Sequence, residues 1–306
     1  MDAIFNVINE YVFSYVMRFI MLLTSQNFAL TIFLFTLIIN LALIPLSIKS
    51  QKSSVQQTLI KPKLDLLKKK YGDDKQKYNE AMRDLYQQEN VSMSGGCLPM
   101  ILRMLLLLSV YYLFVRPISY LTTVDANVIN SVVEGLQLTP DIRSELTLIS
   151  QISAPGFVAP EAIAGNVAII REAINPIDFN FFGISLTEIP HFTLNLSNAQ
   201  WNWIIPILSF AAAILSSIIS IVMQKKINPD APNMAGMMLT MPLISLFIAF
   251  NSPCSLGFYW ACSSLISGVI QAGIQYFYGP HKMIARNRAK NIIKCYENEA
   301  KTLKGV

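Results

Sequence analysis

Long apolar blocks alternate with polar and charged segments along the 306 residues of the chain. The length of each apolar block is close to that of a membrane-spanning helix, about 20 residues. The blocks also lack the regularly spaced polar residues of an amphipathic soluble helix. This pattern predicts an all-α integral membrane protein with five transmembrane helices. The predicted spans cover residues 28–48, 97–115, 202–223, 235–250 and 255–278.

A sixth apolar segment, residues 3–24, carries a polar residue at every fourth position. These residues are Asn6, Glu10, Ser14 and Arg18. The spacing draws a polar stripe along one helical face, so we interpret the segment as an interfacial helix lying on the membrane. A true span or a signal peptide is the alternative, which the lack of a basic leader and of a small-residue cleavage site disfavours.

Lysine and arginine are concentrated on one side of this five-span arrangement. Residues 49–96 carry ten of them and the tail from Gly279 carries seven, whereas residues 117–200 carry only Arg143 and Arg171. The positive-inside rule assigns the basic segments to the cytoplasm. We therefore predict an N-terminus outside the membrane and a C-terminus in the cytoplasm.

The first basic segment has the pattern of a cytoplasmic helical hairpin. Two antiparallel helices, about 50–70 and 75–89, are predicted to meet at Gly72 and Asp74, where glycine ends one helix and aspartate caps the next. Pro62 is expected to kink or weaken the first helix. Apolar contacts are predicted between Tyr78, Met82 and Leu85 on one helix and Leu59, Leu66 and Leu67 on the other.

The polar and apolar segments together divide the chain into seven parts. Within residues 117–200 we expect a few short helices, with starts near Asp141 and Glu161 and a stop near Asn175. The predicted parts are an interfacial helix (1–25), a first span (26–48), the basic hairpin (49–95), a second span (96–116), an extracytoplasmic segment (117–200), a three-span remainder (201–278) and a basic cytoplasmic tail (279–306).

Short motifs in a specific order along the chain resemble the YidC/Oxa1/Alb3 family of membrane insertases. The chain resembles the shorter bacterial forms, without a large periplasmic domain, and the match is weakest over residues 117–200. The motifs are LALIPLSIK at Leu41–Lys49, GGCLPM at Gly95–Met100, Met241-Pro242, FNSP at Phe250–Pro253, LGFYW at Leu256–Trp260, and Ser263.

The resemblance implies a protein of the bacterial plasma membrane that inserts and helps fold other membrane proteins without hydrolysing nucleotide. Such proteins use a polar groove that opens to the cytoplasm and to lipid. The implied partners are newly made membrane proteins and membrane lipids. A ribosome that contacts the basic hairpin and tail, and a Sec-type translocon, are further expected partners; attraction to anionic lipid is the alternative explanation of the basic residues.

Two residues depart from the family's pattern. Asn40 stands where family members often carry the groove arginine, and Arg103 stands where a glutamine is usual. Our hypothesis is that Arg103 supplies the groove charge beside Asn40. An arginine at helix centre costs about 2.5–3.5 kcal/mol on insertion scales, which favours a hydrated environment over lipid. The alternative is that Arg103 extends to the cytoplasmic headgroups.

Other polar and aromatic residues of the predicted spans are candidates for the substrate groove. Tyr259 and Trp260 match an aromatic pair that the family places near the groove's outer end. Small hydroxyl groups also hold helices together through hydrogen bonds to backbone, so helix packing is the alternative for each of them. The groove candidates besides Arg103 and Asn40 are Thr36, Tyr259, Trp260, Ser263 and Gln271.

The sequence carries no recognisable catalytic or cofactor motif. Its two histidines, His191 and His281, fall on opposite sides of the membrane in the predicted topology, and its cysteines form no CxxC pair. We therefore predict no metal, no cofactor and no conventional enzyme activity. A membrane assembly scaffold stays open as an alternative function, as does a small-solute transporter or channel, although neither internal symmetry nor a ring of like charges is visible.

Overall fold

The computed structural model describes residues 9–72, 74–89, 91, 98–190, 192, 200–227 and 235–278, with isolated positions 285, 289, 292, 293, 296 and 299. Gly95–Cys97 and most of the predicted tail, residues 279–306, lie outside the described residues. The chain divides into two compact units. One comprises Met1–Leu41, Met104–Val222 and Ala231–Gly268, and the other comprises Ala42–Arg103, Met223–Asp230 and Val269–Val306.

Helices form most of the described chain, as the sequence predicts. A π-helical turn at Asn9–Phe13 precedes the first α-helix. The α-helices are α1 (Ser14–Leu23), α2 (Phe28–Ala42), α3 (Ile44–Tyr71), α4 (Lys75–Gln88), α5 (Leu98–Val115), α6 (Pro117–Leu121), α7 (Ala126–Gly135), α8 (Ser144–Ile152), α9 (Ala164–Ile174), α10 (Ile204–Ile227), α11 (Ala235–Phe250) and α12 (Cys254–Tyr278).

The apolar helices differ in how well they satisfy the length requirement of a membrane span. Among the described residues, Trp201–Val222 is long and apolar enough on its own, with a mean hydropathy of 2.4. A second candidate is the pair Phe28–Ala42 and Ile44–Ser53, which is bent by 45°. The predicted first span is therefore not one straight helix. The total of five spans stays a prediction.

The break between α2 and α3 has a local cause. Pro45 lies in the first turn of α3, where its missing N–H removes no hydrogen bond from that helix. A helix continuing from α2 would need an N–H at residue 45 to donate to the carbonyl of Leu41. Pro45 has no N–H and its ring crowds that carbonyl, so the helix is interrupted between Ala42 and Ile44. Beyond the break, α3 continues through Pro62 to Tyr71.

The helices of the predicted basic hairpin, α3 and α4, pack on each other. Asp74 caps α4, because its carboxylate accepts hydrogen bonds from the backbone N–H groups of Gln76 and Lys77, both at 3.1 Å. This predicted cap is confirmed. The predicted packing of Leu66 is wrong: its side chain is 66% exposed, and Ile60 is buried instead.

Residues 117–190, called the helical insert below, contain the short helices that the sequence predicts and one small sheet that it does not. Helices α7, α8 and α9 bury a shared apolar core, in which Val132, Leu148 and Ile170 are fully buried. Two strands, β1 (Asn180–Phe181) and β2 (Ile184–Ser185), pair antiparallel and form a ribbon.

Part of the polar stripe of the N-terminal segment packs against protein, at Ser14 and Arg18, whereas Glu10 is exposed. Arg18 donates from Nε to the carbonyl of Tyr120 at 3.1 Å and from Nη2 to that of Ser119 at 3.4 Å, and Ser14 is buried. The exposed face of α1 is apolar and includes Phe19 and Leu22. Asn6 lies outside the described residues. The interfacial position of this segment stays a prediction.

Residues 178–188 supply backbone acceptors to the first turns of two apolar helices. The N–H of Phe28 donates to the carbonyl of Asp178 at 3.0 Å. At the start of α12, the N–H groups of Cys254 and Ser255 donate to the carbonyls of Glu188 and Leu186, at 2.8 and 2.7 Å. These bonds satisfy amides that lack a partner within their own helix.

Candidate functional site

Polar side chains on α2 form the first part of the candidate site. Thr36 is fully buried, and its hydroxyl donates to the carbonyl of Ile32 at 2.6 Å. One turn later, Asn40 donates from Nδ2 to the carbonyl of Thr36 at 2.9 Å. Residues four apart lie on the same helical face, so this face of α2 is polar within an otherwise apolar helix.

Side chains on α12 form the second part of the site. The hydroxyl of Ser267 lies 3.1 Å from Oδ1 of Asn40 and also contacts the carbonyl of Ser263 in its own helix. A hydroxyl has one proton, so Ser267 can donate to only one of these acceptors at a time. The side chain of Ser263 in turn hydrogen-bonds with the phenol of Tyr259.

These contacts join Thr36, Asn40, Ser267, Ser263 and Tyr259 into a row of uncharged polar groups, called the polar row below. Four of its members are predicted groove residues, and Ser267 is the one that the sequence reasoning missed. These contacts do not use all the donors and acceptors of Asn40 and of the hydroxyl groups on α12. The polar row can therefore donate hydrogen bonds to, or accept them from, a polar group that comes close to it.

Apolar packing holds the polar row in position. Phe35 is fully buried and contacts Phe13 edge-on, with ring centroids 5.4 Å apart. Tyr259 is buried beside Phe114, with centroids 6.0 Å apart. These contacts belong to one hydrophobic core that includes α1, α2, α5 and α12. Well-packed side chains of this kind restrict the rotamers of the polar groups between them.

Trp260, another predicted groove residue, packs against the same core. Its indole nitrogen is buried and makes no hydrogen bond within the described part of the chain. A buried donor without a partner costs free energy, which makes this N–H available to an acceptor that approaches it. Trp260 is therefore close to the polar row in sequence without being hydrogen-bonded to it.

The remaining two predicted residues belong to the other unit. Gln271 donates from Nε2 to Oε1 of Gln51 at 3.4 Å, a long hydrogen bond. Gln51 was not predicted as a site residue. Arg103 lies in α5, but its side chain is outside the described residues, so its predicted role as the groove charge stays a prediction.

One sequence signal could have identified Ser267. Ser263, Ser267 and Gln271 follow one another at intervals of four, which places them on one face of α12. Gln51 offers no comparable signal, because it stands in a segment rich in polar residues. Within the described residues, no group of three His, Cys, Asp or Glu side chains is arranged to hold a metal ion.

Known proteins resemble this chain over most of its length. The family model described as 60Kd inner membrane protein matches residues 19–281. The match defines the chain as an inner-membrane protein of the class to which the sequence motifs pointed. The chain belongs to the 60Kd inner membrane protein family, and the predicted family resemblance is confirmed.

Relatives named "Membrane protein insertase YidC" support the same assignment. The protein of Fusobacterium nucleatum is 24% identical over 282 residues, which are 90% of this chain and 97% of that protein. The protein of Brucella melitensis is 26% identical over 254 residues, which are 82% of this chain and 33% of that protein. The chain thus spans about a third of the Brucella relative and nearly all of the Fusobacterium relative.

Proposed function

We propose that the protein is a membrane protein insertase that also helps its substrates to fold, and that it acts without hydrolysing nucleotide. Membership of the family and the names of the relatives support this function. The observation that carries it is the polar row, because hydrogen-bonding groups join two apolar helices that are both predicted to span the membrane.

The physical reason is the cost of moving polar groups through hydrocarbon. An unsatisfied backbone amide or hydroxyl costs several kcal/mol in the bilayer core, about the free energy of a whole hydrogen bond. A hydrated groove lined by amides and hydroxyls shortens the distance over which a translocating tail lacks partners. In this mechanism Asn40 and Ser267 exchange their mutual contact for contacts with the passing chain.

The proposed topology has five spans, with the N-terminus outside and the C-terminus in the cytoplasm. The basic hairpin and tail then lie where a ribosome delivers newly made membrane proteins, and a Sec-type translocon is a further proposed partner. Exposed lysines of α3, such as Lys61 and Lys68, support this partner assignment through their charge and accessibility.

The proposed test of the polar row is complementation of a bacterium depleted of its own insertase. The readout is insertion of a single-span substrate with an acidic translocated tail. Asn40→Leu combined with Ser267→Ala should slow insertion by roughly tenfold, equivalent to about 1.4 kcal/mol, the size of one net hydrogen bond. Leucine has the same branching and the same number of non-hydrogen atoms as asparagine, and alanine lacks only the hydroxyl of serine, so the helix packing should persist.

Ser245→Ala is the matched control. Ser245 is also a half-buried hydroxyl that donates to its own helix, to the carbonyl of Pro242 at 2.8 Å, but it is not a member of the polar row. This variant should insert the substrate like the parent. Equal insertion by the polar-row variant, at equal protein level, would contradict the proposed groove.

Arg103 is tested in the same assay. Arg103→Ala should reduce insertion of the acidic tail, and Arg103→Lys should restore most of it, because either cation attracts a carboxylate. A tail whose acidic residues are replaced by glutamine should be insensitive to both changes. If Arg103→Ala inserts the acidic tail at the parental rate, the proposed role of the Arg103 charge is wrong. The proposed insertase function would not be affected by that result.

A further inference from the structure

A mainly apolar cavity of about 460 Å³ lies beside the first residues of α2. Leu30 and Phe33 of α2, Phe258 of α12 and the ribbon residues Phe181 and Phe182 line it. Its volume falls within the about 300–1,000 Å³ that ligand pockets occupy. Asn27 and Asn180 are the polar residues among those described that line it, and none of these lining side chains carries a charge.

The turn of the ribbon holds a largely exposed aromatic side chain beside the cavity. Phe182 and Gly183 both have positive φ, 48° and 81°, as in the two-residue turns that favour Asn-Gly. A phenylalanine in this conformation is unusual. Its side chain is 84% exposed, and its carbonyl accepts a hydrogen bond from the indole of Trp201 at 3.2 Å.

The base of the ribbon is firmly attached. Phe181 packs against Phe258 with ring centroids 4.6 Å apart, and Phe179 packs edge-on against Phe28 at 5.2 Å. The backbone bonds from residues 178–188 to the starts of α2 and α12 add to this attachment. The exposed position of Phe182 is therefore set by a rigid base.

We propose that this cavity binds an acyl chain of a membrane phospholipid, with Phe182 and Trp201 at the boundary between hydrocarbon and headgroups. The inference rests on the membrane position given under Proposed function. The cavity is continuous with the exposed apolar face of α2, where Leu30 and Phe33 are 46% and 41% exposed and Ile38 and Leu41 continue the face. In a membrane protein such a face meets lipid.

The composition of the site agrees with this occupant. Phenylalanine and leucine side chains match a hydrocarbon chain, and aromatic residues with a polar group are typical of the membrane interface. Since none of the described side chains that line the cavity is charged, the headgroup's charge should have little influence on binding. A site that selected anionic headgroups would need lysine or arginine there.

The test uses the protein in phosphatidylcholine vesicles that contain an analogue with a diazirine in the upper part of one acyl chain, near the glycerol, which is the depth assigned to Phe182. Irradiation cross-links the analogue to neighbouring side chains, and mass spectrometry identifies the labelled peptides. We expect label on the peptides that contain Phe33 and Phe182. Label at Phe247 of α11, which is 73% exposed, serves as the internal reference for general lipid contact.

Two variants challenge the cavity in different ways. Phe182→Asn removes the ring but suits the turn, so it should fold at least as well as the parent and lose label by about fivefold or more. Leu30→Trp fills the cavity and should have the same effect. Ile38→Trp is its control on the same helix, since Ile38 is 45% exposed and does not line the cavity.

Unchanged labelling in both cavity variants would overturn the proposal, as would equal loss with Leu30→Trp and Ile38→Trp. Vesicles of phosphatidylglycerol should give the same labelling within about twofold. Labelling found only in those anionic vesicles would show that the site selects a headgroup and not an acyl chain. Cross-links between the cavity peptides and a second copy of the chain would show that a protein occupies the site. Either result would overturn the proposal. Substrate insertion is measured separately, so normal insertion without cavity label overturns only this inference.

Discussion

The helical insert and the helix pair α3–α4 are both built from helices, yet different interactions stabilise them. In the insert, α7, α8 and α9 share a core in which side chains such as Leu148 and Ile170 are fully buried. In the described part of the pair, only Ile60 is buried, and both helices carry many exposed charges. The pair depends on a helix cap and on the Lys63–Glu89 salt bridge.

This difference indicates which region keeps its shape without a partner. Burial of apolar side chains supplies about 1.5–3 kcal/mol for each large residue, whereas an exposed salt bridge supplies about 0–1 kcal/mol. The insert should therefore be the more stable of the two regions. The pair should open locally more often, which suits a surface that meets other molecules.

Leu148→Ala should have the largest effect on this comparison. Removing a fully buried leucine leaves a cavity and should destabilise the insert by about 2–5 kcal/mol. The measurement is hydrogen exchange of the amides in α7–α9 of the purified protein. Leu66→Ala, at a side chain that is 66% exposed in α3, is the control and should cost less than about 0.5 kcal/mol. Similar losses in both variants would contradict the assigned core.

Glu145→Gln should change the pH dependence of the insert. Glu145 is buried, and its carboxylate accepts hydrogen bonds from the N–H of Ser119 at 3.0 Å and from its hydroxyl. Burial raises the pKa of this carboxyl above its ordinary value of 4.5, although the bonds from Ser119 and the charge of Arg116 oppose the shift.

The sign of this effect follows from the raised pKa. The folded insert holds the proton more tightly than the unfolded chain, so its stability is greatest below pH 4.5 and falls as the pH rises through the folded-state pKa. Glu145→Gln should remove that fall. Hydrogen exchange of α8 between pH 4 and pH 8, corrected for the intrinsic exchange rate, measures it, and an unchanged pH slope would refute the prediction.

Asp74→Ala should have the smallest and most local effect. It removes the cap of α4, so amides in the first turn of that helix should exchange roughly fivefold faster, while α7–α9 stay unchanged. Asp84→Ala is the matched control, because Asp84 is an exposed acidic residue of the same helix away from its N-terminus. If both variants speed exchange equally, loss of charge rather than loss of the cap is the cause.

Much of the fold was predictable because hydropathy and capping are local properties. The bounds of the last three apolar blocks agree closely with those of α10, α11 and α12, and Asp74 correctly predicted the start of α4. The break at Leu43 was missed, although Pro45 was its signal. The ribbon could not be predicted, since its strands have two residues each and its turn carries Phe182 where Asn is usual.

The candidate site was predictable only in part, because hydrogen bonds between distant helices depend on three-dimensional packing. Thr36 and Asn40 were identified by their polarity within an apolar block. Their contact with α12 joins residues 227 positions apart, a distance over which sequence periodicity carries no information. Ser267 was overlooked although its spacing of four residues from both Ser263 and Gln271 was a sequence signal; only its contact with Asn40 could not be predicted.

The bonds that residues 178–188 make to α2 and α12 use main-chain atoms on both sides. A change of side chain leaves a carbonyl in place, so many amino acids should be compatible with Asp178, Leu186 and Glu188 as acceptors. A change of length is different, because deleting one residue displaces every later carbonyl and reverses the direction of alternate side chains. The number of residues in this segment, more than their kind, should therefore decide whether the two helices are joined correctly.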